Sequence, residues 1–432
     1  LALPLDFYIM IQFEEFTLDN GLRCIVHEDH TSPLAVLNVL YNVGSRDETP
    51  DQTGFAHLFE HLMFSGSVNI PSYDEPLQLV GGENNAFTSP DITNYYLTLP
   101  AANLETGFWL ESDRMLNLAF SDNGLEVQRK VVVEEFKQNY LNQPYGDVWL
   151  KLRPLAYQHH PYQWATIGKE ISHIEDATMA QVRAFFAKHY APANAILVVA
   201  GDVTVAEARR LAEKWFGPIA GGTRYERELP TEPRQEEARF LEIHAEVPLS
   251  ALYKVYHMPG RGENGYYPAD LLSDVLGRGK SSRLYQKLVK EQELFNSLSA
   301  SVMGSVEPGL LVISGKLNAD ITLEQADMAL EAVVAELLIT EVPTEELEKV
   351  KNQAEVSIVF SEIELLNRAM SLAFSKLLGD ANLVNEESAK IQAVTPVQVQ
   401  AAAREVLRPE NCSTLYYRAT PIAEPVLVEV GG

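Results

Sequence analysis

The feature that most constrains this 432-residue chain is that it repeats itself at half its length. Thr178, Gln181, Val182, Pro192 and Asn194 recur as Thr395, Gln398, Val399, Pro409 and Asn411, each pair 217 positions apart. Solenoid repeats run to about 20–50 residues, so a period this long calls for two related domains. In both copies a helix starts near the Thr, a Pro-x-Asn turn follows, and an apolar strand comes next, AILVVAGD in the first and CSTLYYRA in the second. Upstream, AVLNVLYNVGSRDE and SALYKVYHMPGRGE share a strand, a Gly-containing turn and a helix in that order. Short alternating strands sit beside long amphipathic segments such as TLEQADMALEAVVAELL. The expectation is an α+β fold made of two homologous domains, each a mostly antiparallel sheet packed with helices. The stretch GPIAGGTRYERELPTEPRQEEARF has the Gly, Pro and charge of an exposed connection. It places the boundary near residue 225, giving domains 1–225 and 226–432.

Composition excludes some classes of function. A hydrophobic share of 46% suffices for packed cores. The 34 basic against 60 acidic residues give a formal charge of −26, which repels polyphosphate and argues against nucleic acid. That acidity is either a solvated surface or a bias toward basic peptides. Cys24 and Cys412 imply no disulfide framework and read as core thiols. The opening LALPLDFYIM lacks the basic flank and small-residue cleavage site of a signal peptide, and no run approaches the roughly 18 apolar residues of a membrane span. A soluble chain is expected, cytoplasmic or periplasmic.

The chemistry concentrates in TGFAHLFEHLMFSG. Phe55, Leu58, Phe59, Leu62 and Met63 favour a buried helix, on which His57 and His61, four apart, aim both imidazoles at one point. That is the geometry of a tetrahedral metal site, with Glu60 on the same face and able to accept a proton from a water there. With 10 His and 60 acidic residues in the chain, H-x-x-[DE]-H arises by chance about 0.03 times. Buried without a metal, three such side chains would each cost roughly 1–3 kcal/mol. A catalytic zinc needs a third protein ligand. EVQRKVVVEEFKQNYL offers Glu134 and Glu135 beside a valine run, three and four residues after Val131, and periodicity does not choose between them.

These residues resemble the pitrilysin or insulinase family of metallopeptidases, whose signature is H-x-x-E-H. GGENNAFTSPDITNYYLTLP, RKVVVEEF, HPYQWATIG, YAPANAILVVAGD and SSRLYQKL extend the resemblance over nearly the whole chain. It implies a Zn2+ held by His57, His61 and Glu135, with Glu60 as general base in peptide-bond hydrolysis. It also implies an edge strand at Asn85, Ala86, Phe87 and Thr88 onto which a substrate peptide adds. From the residues alone Asn85 reads as a turn after Gly81 and Gly82.

The sequence departs from the family in three places. Members complete for catalysis carry an Arg and a Tyr seven apart in the half opposite the zinc. Alignment on SSRLYQ and SLSA puts Val289 and Asn296 there. This chain has the family's half length, so the resemblance implies a paralogous partner subunit supplying that pair, the alternative being a homodimer that uses Arg283 or Tyr285. Gln128 stands where relatives often have a glutamate. In the second half Leu271, Leu272, Val275 and Leu276 take the place of the metal motif, and Asn352 or Gln353 lies near the equivalent of Glu135, so one zinc per chain is expected. The function expected is that of a zinc endopeptidase or oligopeptidase; the alternative is a non-catalytic structural or peptide-binding subunit.

Overall fold

The computed structural model describes residues 10–420, so the opening segment 1–9 lies outside the described residues. Eleven strands form two sheets among these residues. The first contains β1 (Glu14–Thr17), β2 (Arg23–Glu28), β3 (Leu34–Tyr41), β4 (Glu83–Thr88), β5 (Thr93–Pro100) and β6 (Ala195–Gly201), in the order β1-β2-β6-β3-β5-β4. The second contains β7 (Arg239–Ala245), β8 (Ala251–Met258), β9 (Phe295–Met303), β10 (Gly309–Leu317) and β11 (Cys412–Ala419), in the order β7-β11-β8-β10-β9. Setting β1 aside, the two orders are the same. Each sheet has one parallel pairing, β2 with β6 and β7 with β11, and is otherwise antiparallel. The expected α+β duplication is therefore present at the level of strand pairing.

Burial follows position in the sheet. Every residue of β6 is buried, as its unbroken apolar run requires of a central strand covered on both faces. The edge strands β4 and β7 alternate exposed with half-buried residues.

The recurring Thr and Gln have a shared structural job. Thr178 and Thr395 are the N-caps of helices Met179–His189 and Pro396–Val406, and each exchanges hydrogen bonds with the Gln three residues on. The reciprocal pair satisfies two backbone donors that a helix start leaves unmet. Asn194 and Asn411 are matched as well. Asn194 donates to the carbonyls of His189 and Asn42, and Asn411 to those of Val406 and His257, tying each helix end to a strand or its extension.

The chain forms two compact units, neither continuous in sequence. One comprises the described part of Leu1–Gln138 with His159–Thr231 and Ala354–Lys390. The other comprises Asn139–Gln158, Glu232–Gln353 and the described residues from Ile391. Residues 220–236, within the Gly- and Pro-rich connection, carry no helix or strand. Helix Leu365–Leu377 packs on β6, β3 and β2 of the first sheet, where Ala369, Leu372 and Ala373 join Val36, Leu40 and Val198 in one core. Helix Val148–Ala156 packs on β7, β8 and β11 of the second. Its C-terminal carbonyls are met there by Arg239 and His257, and Tyr417 donates to Asp147 at 2.8 Å.

A polar clamp fixes helix Leu365–Leu377. Arg368 donates to Asp29 at 2.6 Å and to Nε2 of His27 at 2.9 Å. The His27 ring then donates from Nδ1 to the Gln12 carbonyl at 2.6 Å. The Thr31 hydroxyl, with further help from Arg368, holds the Asp29 carboxyl down at about 2. A depressed carboxyl stabilises the fold above its unfolded pKa of about 4 and loses that contribution as the pH falls through its folded value. Asp29→Asn should therefore lower unfolding free energy by about 1–2 kcal/mol at pH 7, with solvent screening limiting the effect. The difference from the parent should shrink between about pH 4 and pH 2. Urea unfolding across that range checks this, and a difference that does not depend on pH would refute it.

Candidate metal centre

Helix Phe55–Leu62 buries Phe55, Ala56, Leu58, Phe59 and Leu62 and leaves His57, Glu60 and His61 partly accessible. Its start depends on Gly54, at φ 87°, where a Cβ would fall 2.7 Å from the Ile167 carbonyl oxygen and from the Ile174 side chain. Only glycine meets both the left-handed backbone and the close approach. Phe59 stacks on Phe185 and Tyr190, with ring centroids 4.9 and 5.2 Å away. The helix is thereby held against rotation.

Helix Asp122–Phe136 packs beside it. Ser121 caps this helix by accepting from the Gly124 amide, and Leu125, Val132, Val133 and Phe136 form its buried side. Val131, the residue from which the periodicity was counted, is exposed. With the apolar face set by Val132, Val133 and Phe136, the two glutamates separate. Glu134 points to solvent and pairs with Lys137 at 2.7 Å. Glu135 turns inward: its Oε2 lies 3.6 Å from Nε2 of His57 and 3.5 Å from Nε2 of His61.

These three side chains could hold a metal ion, their ligand atoms all lying within 4.8 Å of one another. Two ligands each about 2.0–2.1 Å from a tetrahedral zinc stand roughly 3.3 Å apart, close to the spacing observed. At 3.5 and 3.6 Å the contacts are too long for good hydrogen bonds. The donor set fits zinc as well, since burial, with His61 adding to it, pulls His57 down to about 4 and leaves its imidazole neutral with a lone pair to offer.

Glu60 stands beside the cluster. Burial pushes its carboxyl up, opposed by a hydrogen bond from Thr88 and by His61, while Glu135 adds to the rise. A carboxylate raised in this way is a better proton acceptor than an exposed glutamate.

Comparison with known proteins accords with this geometry. Residues 23–169 match the family description "Insulinase (Peptidase family M16)" and residues 176–354 match "Peptidase M16 inactive domain". The chain is 31% identical over 346 residues to the zinc protease PqqE of Helicobacter pylori, covering 78% of this chain and 77% of that one. The chain belongs to the insulinase family, peptidase M16. Another relative, the uncharacterized zinc protease YmxG of Bacillus subtilis, is 27% identical over 91% of this chain and 95% of its own. A crystal structure of a protease from Helicobacter pylori superposes with a TM-score of 0.88 at 27% identity, over 95% of this chain and 100% of that one.

The remaining residues singled out in the sequence fall as follows. Asn85, Ala86, Phe87 and Thr88 lie in β4, not in the turn that the preceding glycines suggested for Asn85. Pairing with β5 from Glu83 onward overrides the local turn preference. Among the described residues β4 ends the sheet order, and no strand pairs with its far edge. The Ala86 amide donates to the side-chain Oδ1 of Asn85 at 2.8 Å. Gln128 donates to the Ser65 hydroxyl at 3.1 Å. Val289 lies in the π-helical segment Tyr285–Glu291, and Asn296 in β9. Arg283 is engaged by Glu346 at 2.7 Å, both half-buried. In the second half Leu271, Leu272, Val275 and Leu276 are all core residues of helix Tyr266–Gly277.

Sequence reasoning missed Glu48. Its buried carboxylate accepts from the amides of Gly54 at 2.9 Å and Ala56 at 2.8 Å, capping the helix that carries the histidines from six residues before it. A cap supplied from that distance has no signature spacing, and the only signal was an acidic residue ahead of a glycine-started helix. Glu48→Ala strands two buried amides and should cost about 2–4 kcal/mol of unfolding free energy. Glu48→Gln, whose amide oxygen serves only one of them well, should fall between the two. Chemical denaturation measures both, and a Glu48→Ala midpoint equal to the parent's would sink this assignment.

Proposed function

We propose that this chain is the zinc-bearing catalytic subunit of a metalloendopeptidase, with the metal held by His57, His61 and Glu135 and with Glu60 as general base. The observation that carries the reading is the convergence of two imidazole Nε2 atoms on one carboxylate oxygen at 3.6 and 3.5 Å. When bound, zinc supplies Lewis-acid polarisation of the scissile carbonyl and acidifies water. Glu60 takes a proton from the attacking water and returns it to the leaving amine, so no covalent acyl-enzyme forms. The peptide adds along the outer edge of β4, where main-chain bonds accept many sequences.

The zinc dependence named in the relatives PqqE and YmxG supports the cofactor. A partner is supported by what the chain lacks. Val289 and Asn296 stand where the family's Arg and Tyr are expected, and the nearby Arg283 is committed to Glu346. A paralogous subunit therefore supplies those two donors. Completeness of the His, His, Glu and Glu set favours catalysis over a purely structural role.

Glu60→Gln should keep about one zinc per chain while lowering kcat by about 10²–10⁴, and His57→Ala should lose the metal. Metal analysis beside cleavage of a quenched peptide tests both, and a Gln variant as fast as the parent would remove Glu60 from the mechanism. Activity should rise sharply when a paralogue bearing the Arg and Tyr is added. Full turnover by the purified chain on its own would eliminate the partner.

A further inference from the structure

Among the described residues Thr88 holds the Glu60 carboxylate: its hydroxyl donates to Oε2 at 2.5 Å, and its backbone adds a smaller contribution. The two ends of this bond sit on elements that are fixed separately. Glu60 rides on helix Phe55–Leu62, held by the Glu48 cap and by the stacking of Phe59. Thr88 is the last residue of β4 and pairs with Thr93 of β5, whose hydroxyl in turn donates to the Val43 carbonyl at 2.9 Å. A β-branched residue in a strand has few side-chain rotamers open to it, so the Thr88 hydroxyl is a stiff donor. A glutamate has three side-chain torsions, and the last of them is broad. Unrestrained, its carboxylate would sample many orientations; the Thr88 hydroxyl on Oε2, with a smaller contribution from the Thr88 backbone, removes most of that freedom and leaves Oε1 for the water.

We propose that Thr88 is a positioning residue for hydrolysis, its hydroxyl fixing the plane of the Glu60 carboxylate so that Oε1 is the oxygen that accepts the proton. This rests on the reading of Glu60 as general base. It gives β4 two roles that its sequence pattern does not distinguish: a main-chain edge for the peptide and a side-chain clamp on the base. The placement of the strand and the orientation of the base are thereby coupled through one side chain.

A double-mutant cycle in the full chain, assayed with a quenched peptide in whichever assembly cleaves it, tests this. Thr88→Val keeps the shape and removes the hydroxyl. It should lower kcat about 10- to 100-fold, the size expected for a misplaced reacting group, with KM within about twofold and zinc content unchanged. Thr88→Ser should recover most of the loss, and Thr88→Ala should reproduce it without adding atoms to the site. In the Glu60→Gln background, Thr88→Val should change kcat no further. Parental kcat in Thr88→Val, or an equal loss in both backgrounds, overturns the proposal while leaving Glu60 as base. A Glu60→Gln variant with parental kcat overturns the base itself, and the inference about Thr88 with it.

Discussion

An eight-residue helix is too short to be stable by itself in water, yet the site depends on one. Helix Phe55–Leu62 exists because its surroundings determine each part of it. Gly54 permits the tight entry, Glu48 satisfies two amides of the first turn, and Phe59 locks the buried face against Phe185 and Tyr190. Only with the helix so fixed do His57 and His61 present their Nε2 atoms to a carboxylate from helix Asp122–Phe136. The mutual spacing of these three side chains is set by packing rather than by loops.

The duplication shows what that arrangement adds to a common frame. Apart from the extra edge strand β1, both units use the same strand order, with one parallel pair each, and the same Thr–Gln capping box ahead of the strand that pairs in parallel. In the second unit the helix after the corresponding strand also starts from a left-handed glycine, Gly265 at φ 98°, but it carries leucines and a valine inward. The frame therefore does not require the His57, His61 and Glu135 cluster. One copy carries a polar cluster at this place and the other a packed core.

Segments from each half of the sequence complete the unit built mainly from the other half. Helix Leu365–Leu377 closes one face of the first sheet, and helix Val148–Ala156 one face of the second. An apolar sheet face has to be covered, and here it is covered by a helix distant in sequence. The buried apolar residues of the Leu365–Leu377 helix supply burial, and the Arg368 clamp to His27 and Asp29 supplies its registration.

Local patterns in the sequence carried the α+β duplication, the helix with two histidines one turn apart, and the glutamate beside them, because each rests on spacing that one element imposes by itself. The tertiary structure decided everything that joins two elements. It turned Glu135 rather than Glu134 inward, since the buried side of that helix is set by Val132, Val133 and Phe136 and not by Val131. It made Asn85 a strand residue through pairing with β5. It brought Glu48 to a helix start six residues away and Thr88 to Glu60 across 28. Periodicity reports which residues of an element share a face; which neighbour that face meets depends on packing, and packing is not written in any single stretch of the chain.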